Sequence, residues 1–346
     1  MAGQAPSNST LDVSFSYPNP EEPQITVTVH RDSAHANAVP TFFGKIFGVS
    51  SVNVSASATA EAFNPSGGSV SVAAACLRPF LVPNCDSAHP VLKSNPEANL
   101  NCGGTGKNNG ATVACPKGVH GKCYPSYFFD PNNHGAIVNP GVYNPSNPTT
   151  GGTIGEPWQL NSNAAPSQWY LVDFTGSGSL TTFIETCAPS VIACSGSPNA
   201  EKVTNVSTTD QGINGLINAS GDGLGNGQDS ICSPTTTPAC LTPAFPITGG
   251  ANNPNPNLIG QTFYGTSNSI ASVVVYNGYT VNPSGSTVTV IGYMQLFIQS
   301  ASQQGSAELI NTVILNVGGC GTSGVSSTPI IGPAGSPIPI RLIRTQ

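Results

Sequence analysis

Ten cysteines constrain this 346-residue chain more than any other feature. They are Cys76, Cys85, Cys102, Cys115, Cys123, Cys187, Cys194, Cys232, Cys240 and Cys320. Charged residues make up only 8% of the sequence, against roughly a quarter in an ordinary soluble domain. An even set of cysteines in so uncharged a chain reads as a disulfide framework formed outside the cytoplasm. Short spacing pairs Cys187 with Cys194 and Cys232 with Cys240. Five cysteines then remain between Cys76 and Cys123. An odd group cannot close on itself, so Cys320 is expected to cross back to one of them.

Polarity comes from Asn, Ser, Thr and Gln, and the 39 glycines and 31 prolines mark a turn-rich β protein. The net charge is −6, and the ten lysines and arginines are scattered. Phosphate backbones are held by clustered positive charge, so no nucleic-acid partner is expected. No stretch approaches the ~18 apolar residues of a membrane-spanning helix. The first ten residues have neither the basic region nor the apolar core of a signal peptide. The chain is therefore expected to begin after a targeting segment.

Strand and helix patterns alternate at the amino terminus. Leu11, Val13, Phe15 and Tyr17 recur at period two, as do Ile25, Val27 and Val29. Phe42, Phe43, Ile46 and Phe47 lie on one face of a short helix that Gly48 would stop, and are expected to form a core. Val52 to Ala60 alternates small apolar with polar residues, a third strand. This strand-helix-strand base spans 1–66. The remainder, 67–346, reads as a disulfide-rich β domain with a loop-rich insertion at about 86–166, stapled by cysteines. An antiparallel meander follows over 258–320, and an extended tail over 321–346. Trp169 to Phe174 reads as a strand buried on both faces, with Trp169 in the core. Leu180, Phe183, Ile184 and Cys187 make one helical face. Thr208 with Gln211 forms a capping box ahead of Ile213, Leu216 and Ile217. The fold class is thus mainly β with short helices, an α+β base and long irregular loops.

The chemistry-bearing motifs are few. Asp222, Asn226 and Asp229, spaced by glycines, have the residue types of a calcium loop, although a single copy reads first as an Asx-type turn. Asp173, Thr175 and Ser177 carry the spacing of an adhesion-type metal site, but a strand end entering a glycine turn explains them as well. Cys102, Cys115, His120 and Cys123 could ligate zinc by type, yet disulfides suit this composition better. No nucleophile elbow with a histidine and an acid is present, and the five histidines all lie before residue 135. No catalytic residue and no cofactor are therefore expected, beyond a structural Ca²⁺ at the glycine-spaced loop.

Pro40-Thr41-Phe42-Phe43, Ile46-Phe47-Gly48 and Val52 to Ala60 together resemble the membrane-proximal module of TadG-like proteins, which act in assembly of tight-adherence (Flp, type IVc) pili. Arg78-Pro79-Phe80, Trp169 to Gly176, Gln211-Gly212-Ile213 and the ending SPIPIRLI are similar to further segments of that family. The resemblance implies a non-catalytic protein of the bacterial cell envelope or extracellular surface. Its implied partners are other pilus or envelope proteins, or copies of itself. It also implies a membrane contact only through an amino-terminal helix that this chain lacks. In the family that helix would pack on the small-residue face of Ala56, Ala58 and Ala60.

Two other readings stand beside this one. The chain could polymerise by donating a terminal strand to a neighbour's sheet edge. Leu11, Val13 and Phe15, or Ile338, Ile340 and Leu342, are the candidates. Alternatively it is a secreted carbohydrate-binding module or hydrolase, with Trp158, Tyr124, Tyr127 and Tyr143 stacking on sugars.

Overall fold

The structure, a computed structural model, describes residues 13–19, 22–33, 38–62, 73–74, 77–102, 110–132, 135–139, 141–144, 146–147, 151–173, 178–186, 192–194, 196–232, 245–263, 267–277, 286–320 and 340–343. It is rich in β-structure with two α-helices, as the composition and periodicities predict. The chain divides into two units. Unit 1 is Met1–Asn64 with Pro339–Gln346, and unit 2 is Pro65–Ile338. Unit 2 is therefore inserted within unit 1.

Unit 1 is an open antiparallel sheet of four strands. Strand β1 (Val13–Asn19) pairs with β2 (Glu22–Arg31), β2 with β3 (Val54–Ala62), and β3 with a carboxy-terminal strand, Ile340–Ile343. The register sets Val27 opposite Ala58 and Val29 opposite Ala56. Residues opposite each other in a ladder share a face, so these four make one apolar face. Thr28 opposite Ser57 lies on the other, where their hydroxyls hydrogen-bond at 2.8 Å. The tail expected at 321–346 as an extension of the second domain thus returns to the first. Ile340 and Leu342 sit opposite Ala62 and Ala60, satisfying the free edge of β3. Leu11 and Ile338 lie outside the described residues. Val13 and Phe15 pair with Val27 and Ile25 within the chain's own sheet. Both terminal segments offered as donor arms are therefore strands of one sheet in the same chain.

In unit 2 the labelled strands are β4 (Phe80–Pro83), β5 (Asp86–Leu92), β6 (Cys123–Ser126), β7 (Pro157–Asn161), β8 (Tyr170–Val172), β9 (Asn199–Glu201), β10 (Ile270–Tyr276), β11 (Ser286–Thr287), β12 (Val290–Gln304) and β13 (Ala307–Gly319). Eight of them form one sheet in the order β7-β13-β12-β10-β4-β8-β9-β11. Every pairing in it is antiparallel except β4 with β10. The long β12–β13 hairpin turns at Gly305, whose φ of 62° is the left-handed conformation that glycine adopts freely. Strands β10, β12 and β13 form an antiparallel meander.

Helices α1 (Leu180–Thr186) and α2 (Val206–Leu216) bury Ile184, Ile213 and Leu216 in one core with Met294, Phe297 and Val313 of the hairpin. Gly212 permits their close approach: a Cβ there would stand 3.0 Å from Ile184 Cδ1. The cap of α2 is Asn205, whose side chain accepts the N–H of Thr208, so Thr208 is inside the helix rather than its cap. Trp169 is fully buried and meets Phe80 edge-to-face at 5.3 Å.

The disulfides depart from the spacing argument. Cys85 bonds Cys102, Cys115 bonds Cys123, and Cys194 bonds Cys320. Cys194 therefore does not pair with Cys187, and Cys320 does not reach back to the first five. The strand preceding Cys320 lies in the same sheet region as Cys194, and proximity in the fold outweighs proximity in the chain. Cys232 is disulfide-bonded. Cys76, Cys187 and Cys240 lie outside the described residues. The disulfides at Cys102, Cys115 and Cys123 also overturn the zinc reading of those residues with His120.

Candidate functional site

In unit 1 the segment between β2 and β3 is a small hairpin. Val39–Pro40 pairs with Ser51–Val52, and the Thr41 N–H donates to the Ser50 carbonyl at 3.0 Å. Its end is a four-residue 3-10 turn, Gly44–Phe47, closed by Gly48 at φ 79°. The Gly48 stop is thus observed, but the helix is a single turn and buries nothing. Phe42, Phe43, Ile46 and Phe47 are 85%, 72%, 76% and 83% exposed, and so do not form the expected core. The reason is architectural. A single sheet has no second layer against which a lone turn can bury its apolar face. Val27, Val29, Val49, Val52 and Val54 are exposed as well. Outside unit 1, the large exposed apolar residues among those described are Leu224 and Ile259. Exposed apolar area concentrated in this way marks an interaction surface.

Among the described residues, unit 2 holds two polar clusters with buried members. The first joins Asp86, His89 and Glu156, all nearly inaccessible at 0%, 4% and 1% exposure. Strand β5 is irregular between Asp86 and Val91, where five residues advance against two on β6. The slack lets Asp86 Oδ1 accept the N–H groups of Ala88 and His89, each at 3.1 Å, which folds the histidine back over the aspartate. His89 Nδ1 then meets Asp86 Oδ2 at 2.6 Å, and Nε2 lies 2.9 Å from the Gly151 carbonyl. Glu156, which opens β7, brings Oε2 to 3.7 Å from Nδ1, and that oxygen has no hydrogen-bond partner. Burial and then the Asp86 charge hold the Glu156 pKa well above the usual carboxylate range. For His89, burial acts downward, but the hydrogen bond and charge of Asp86 and the Gly151 carbonyl outweigh it, so its pKa is raised.

The second cluster is acidic. Asp210 on α2 stands beside the fully buried Glu308 of β13 and the exposed Asp222. Burial, with Asp210 beside it, pushes Glu308 up to about 9. A glutamate whose pKa rises on folding binds its proton more tightly in the native state. Its contribution is complete below the unfolded value and is lost as pH rises through about 9. We expect the stability of the chain to fall between pH 5 and pH 9, by on the order of 2 kcal/mol once the full shift is discounted for solvent screening. Glu308→Gln, neutral at every pH, should flatten that fall in calorimetric scans. A slope unchanged in the variant would remove Glu308 as its origin.

The three calcium candidates do not converge. Asp222 faces the acidic cluster and accepts from Asn214 Nδ2 at 3.4 Å. Asn226 turns its amide nitrogen to the carbonyls of Gly221 and Gly223, each at 3.0 Å, and of Asp222. Asp229 is buried, its carboxylate taking up the Gly250 N–H at 2.9 Å, Asn253 Nδ2 at 2.8 Å and the Ser267 hydroxyl at 2.6 Å. The Asn226 side chain closes the local turn, whereas the Asp229 carboxylate ties in residues 250, 253 and 267. Asp173 is exposed, while Thr175 and Ser177 lie outside the described residues. The aromatics offered for sugar stacking are mostly core. Trp158, Tyr124 and Tyr143 are buried, and Trp158 packs on Phe128 at 5.0 Å. The chain reading passed over His89 and Glu156, because they lie 67 positions apart and belong to no motif. Only Asp86 and His89, three apart, hinted at a pair.

No curated protein and no solved structure matches this chain. Residues 3–60 match a family model described as putative Tad-like Flp pilus-assembly. That segment holds β1, β2, the exposed apolar turn and most of β3, the elements on which the resemblance to TadG-like proteins rests. The similarity to the Tad-like Flp pilus-assembly family thus lies within unit 1.

Proposed function

We propose that this chain is a non-catalytic, TadG-like protein of the cell envelope or cell surface that serves Flp-type pilus assembly by docking through unit 1. The observation that carries this reading is the exposed turn of Phe42, Phe43, Ile46 and Phe47, inside the segment that matches the pilus-assembly family. The apolar face of Val27, Val29, Ala56 and Ala58 adds to that surface. Its alanines leave room for close approach of a partner's backbone, and its valines supply area to bury. The fitting occupant is an apolar helix of a pilus or envelope protein. Disulfides support an extracytoplasmic site of action. Among the described residues no helix is long and apolar enough to cross a membrane.

The double substitution Phe43→Ser and Phe47→Ser tests the reading in the producing bacterium. Both side chains are exposed, so the variant should fold with an unchanged melting temperature. Pili counted by electron microscopy should fall at least tenfold. Normal piliation by a variant present at wild-type level would overturn the docking role of the turn.

A further inference from the structure

We propose that Asp86, His89 and Glu156 form a binding site for one divalent transition-metal ion of the zinc class, which ties strand β5 to the start of strand β7. The case begins with donor type. One imidazole nitrogen with two carboxylate oxygens is a donor set that Zn²⁺ accepts, and the three residues place one such atom each within 4.8 Å of the others. The spacing is the next step. Two ligands at about 2.05 Å from a tetrahedral ion stand about 3.3 Å apart. Here Nδ1 lies 2.6 Å from Asp86 Oδ2 and 3.7 Å from Glu156 Oε2, so opposite shifts of about 0.7 Å and about 0.4 Å reach that value.

Two further features point to a ligand rather than to an ion pair alone. Glu156 Oε2 is buried, directed at the imidazole, and has no hydrogen-bond partner. A proton shared between His89 and Asp86 leaves that oxygen unsatisfied, which burial makes costly. A cation between the three groups satisfies it. The other ring nitrogen, Nε2, stands 2.9 Å from the Gly151 carbonyl. Donation there leaves Nδ1 as the ligand nitrogen once the ion displaces the proton between Nδ1 and Asp86, and metal-ligating histidines share that outer hydrogen bond. Asp86 is likewise pre-aimed. Its Oδ1 holds two backbone N–H groups and Asn139 Nδ2 reaches Oδ2 at 3.3 Å.

Because the site is buried, the ion enters as the chain folds, and the test must include folding. The full chain, disulfides intact, is unfolded in guanidinium with a chelator and refolded with Zn²⁺ or Co²⁺. Metal is then counted after dialysis. We expect one ion per chain, a higher melting temperature than in chelator, and for Co²⁺ the visible bands of a low-coordinate site. Glu156→Gln keeps the shape, removes the charge and should weaken binding at least tenfold. Absence of stoichiometric metal after refolding would overturn the proposal, as would equal binding by the Gln variant. Should that variant not fold, X-ray absorption of the wild-type zinc complex decides. A shell of one imidazole with oxygens supports the site, whereas a shell containing sulfur, or oxygens alone, excludes it.

Discussion

Replacing Cys194 with serine is expected to cost unit 2 about 4–5 kcal/mol of stability, the largest loss among the three described disulfides. The Cys194–Cys320 bond closes a loop of 126 residues. Chain-entropy cost grows with the logarithm of loop length, so this bond restricts the unfolded chain more than Cys85–Cys102 or Cys115–Cys123, whose separations are 17 and 8. It also holds two distant pieces of one core. Cys194 and Cys320 sit in the same apolar cluster as Tyr293, whose hydroxyl donates to the Ile192 carbonyl at 2.8 Å. Denaturant unfolding of Cys194→Ser with Cys320→Ser, which leaves no odd thiol, measures the loss directly. Cys115→Ser with Cys123→Ser is the control, expected to lose distinctly less. Equal losses from the two pairs would show that loop length does not govern them.

The second large effect is expected at Trp169. Truncation to alanine should destabilise unit 2 by about 3–5 kcal/mol, because the indole is wholly enclosed and its removal leaves a cavity that the sheet cannot close. Phe80 on β4 loses its edge-to-face partner, and β4 is the strand that pairs antiparallel with β8 and parallel with β10. Phenylalanine at the same position should recover more than half of the loss. Unfolding in urea reads both, and a shift below 1 kcal/mol for Trp169→Ala would place the core elsewhere. Phe47→Ala offers the contrast: its ring is exposed, and the same truncation should leave stability within about 0.5 kcal/mol.

That contrast shows where local pattern and burial part. Phe42, Phe43, Ile46 and Phe47 have the spacing of a buried helical face, and Trp169 stands in a run that reads as a buried strand. Spacing reports which side chains share a face. It does not report whether another layer covers that face. In unit 2 two helices and an eight-stranded sheet meet, so the apolar faces close on each other. In unit 1 the sheet stands as one layer among the described residues, and its apolar turn stays exposed.

The sequence alone determined the local elements. Alternation in ITVTVH carries β2, because backbone pleating has a period of two, and the near-continuous apolar run VIGYMQLFI carries β12, a strand buried on both faces. Composition and cysteine number determined the disulfide-rich β class, and the segment around PTFFGKIFG the pilus-assembly kinship. Tertiary structure alone decided three things. It joined Cys194 to Cys320 across 126 residues, returned the carboxy-terminal strand to β3, and brought Glu156 against His89 and Asp86. Each is a contact between positions remote in the chain. Its free energy depends on what the intervening fold places side by side, and no window of neighbouring residues contains that quantity.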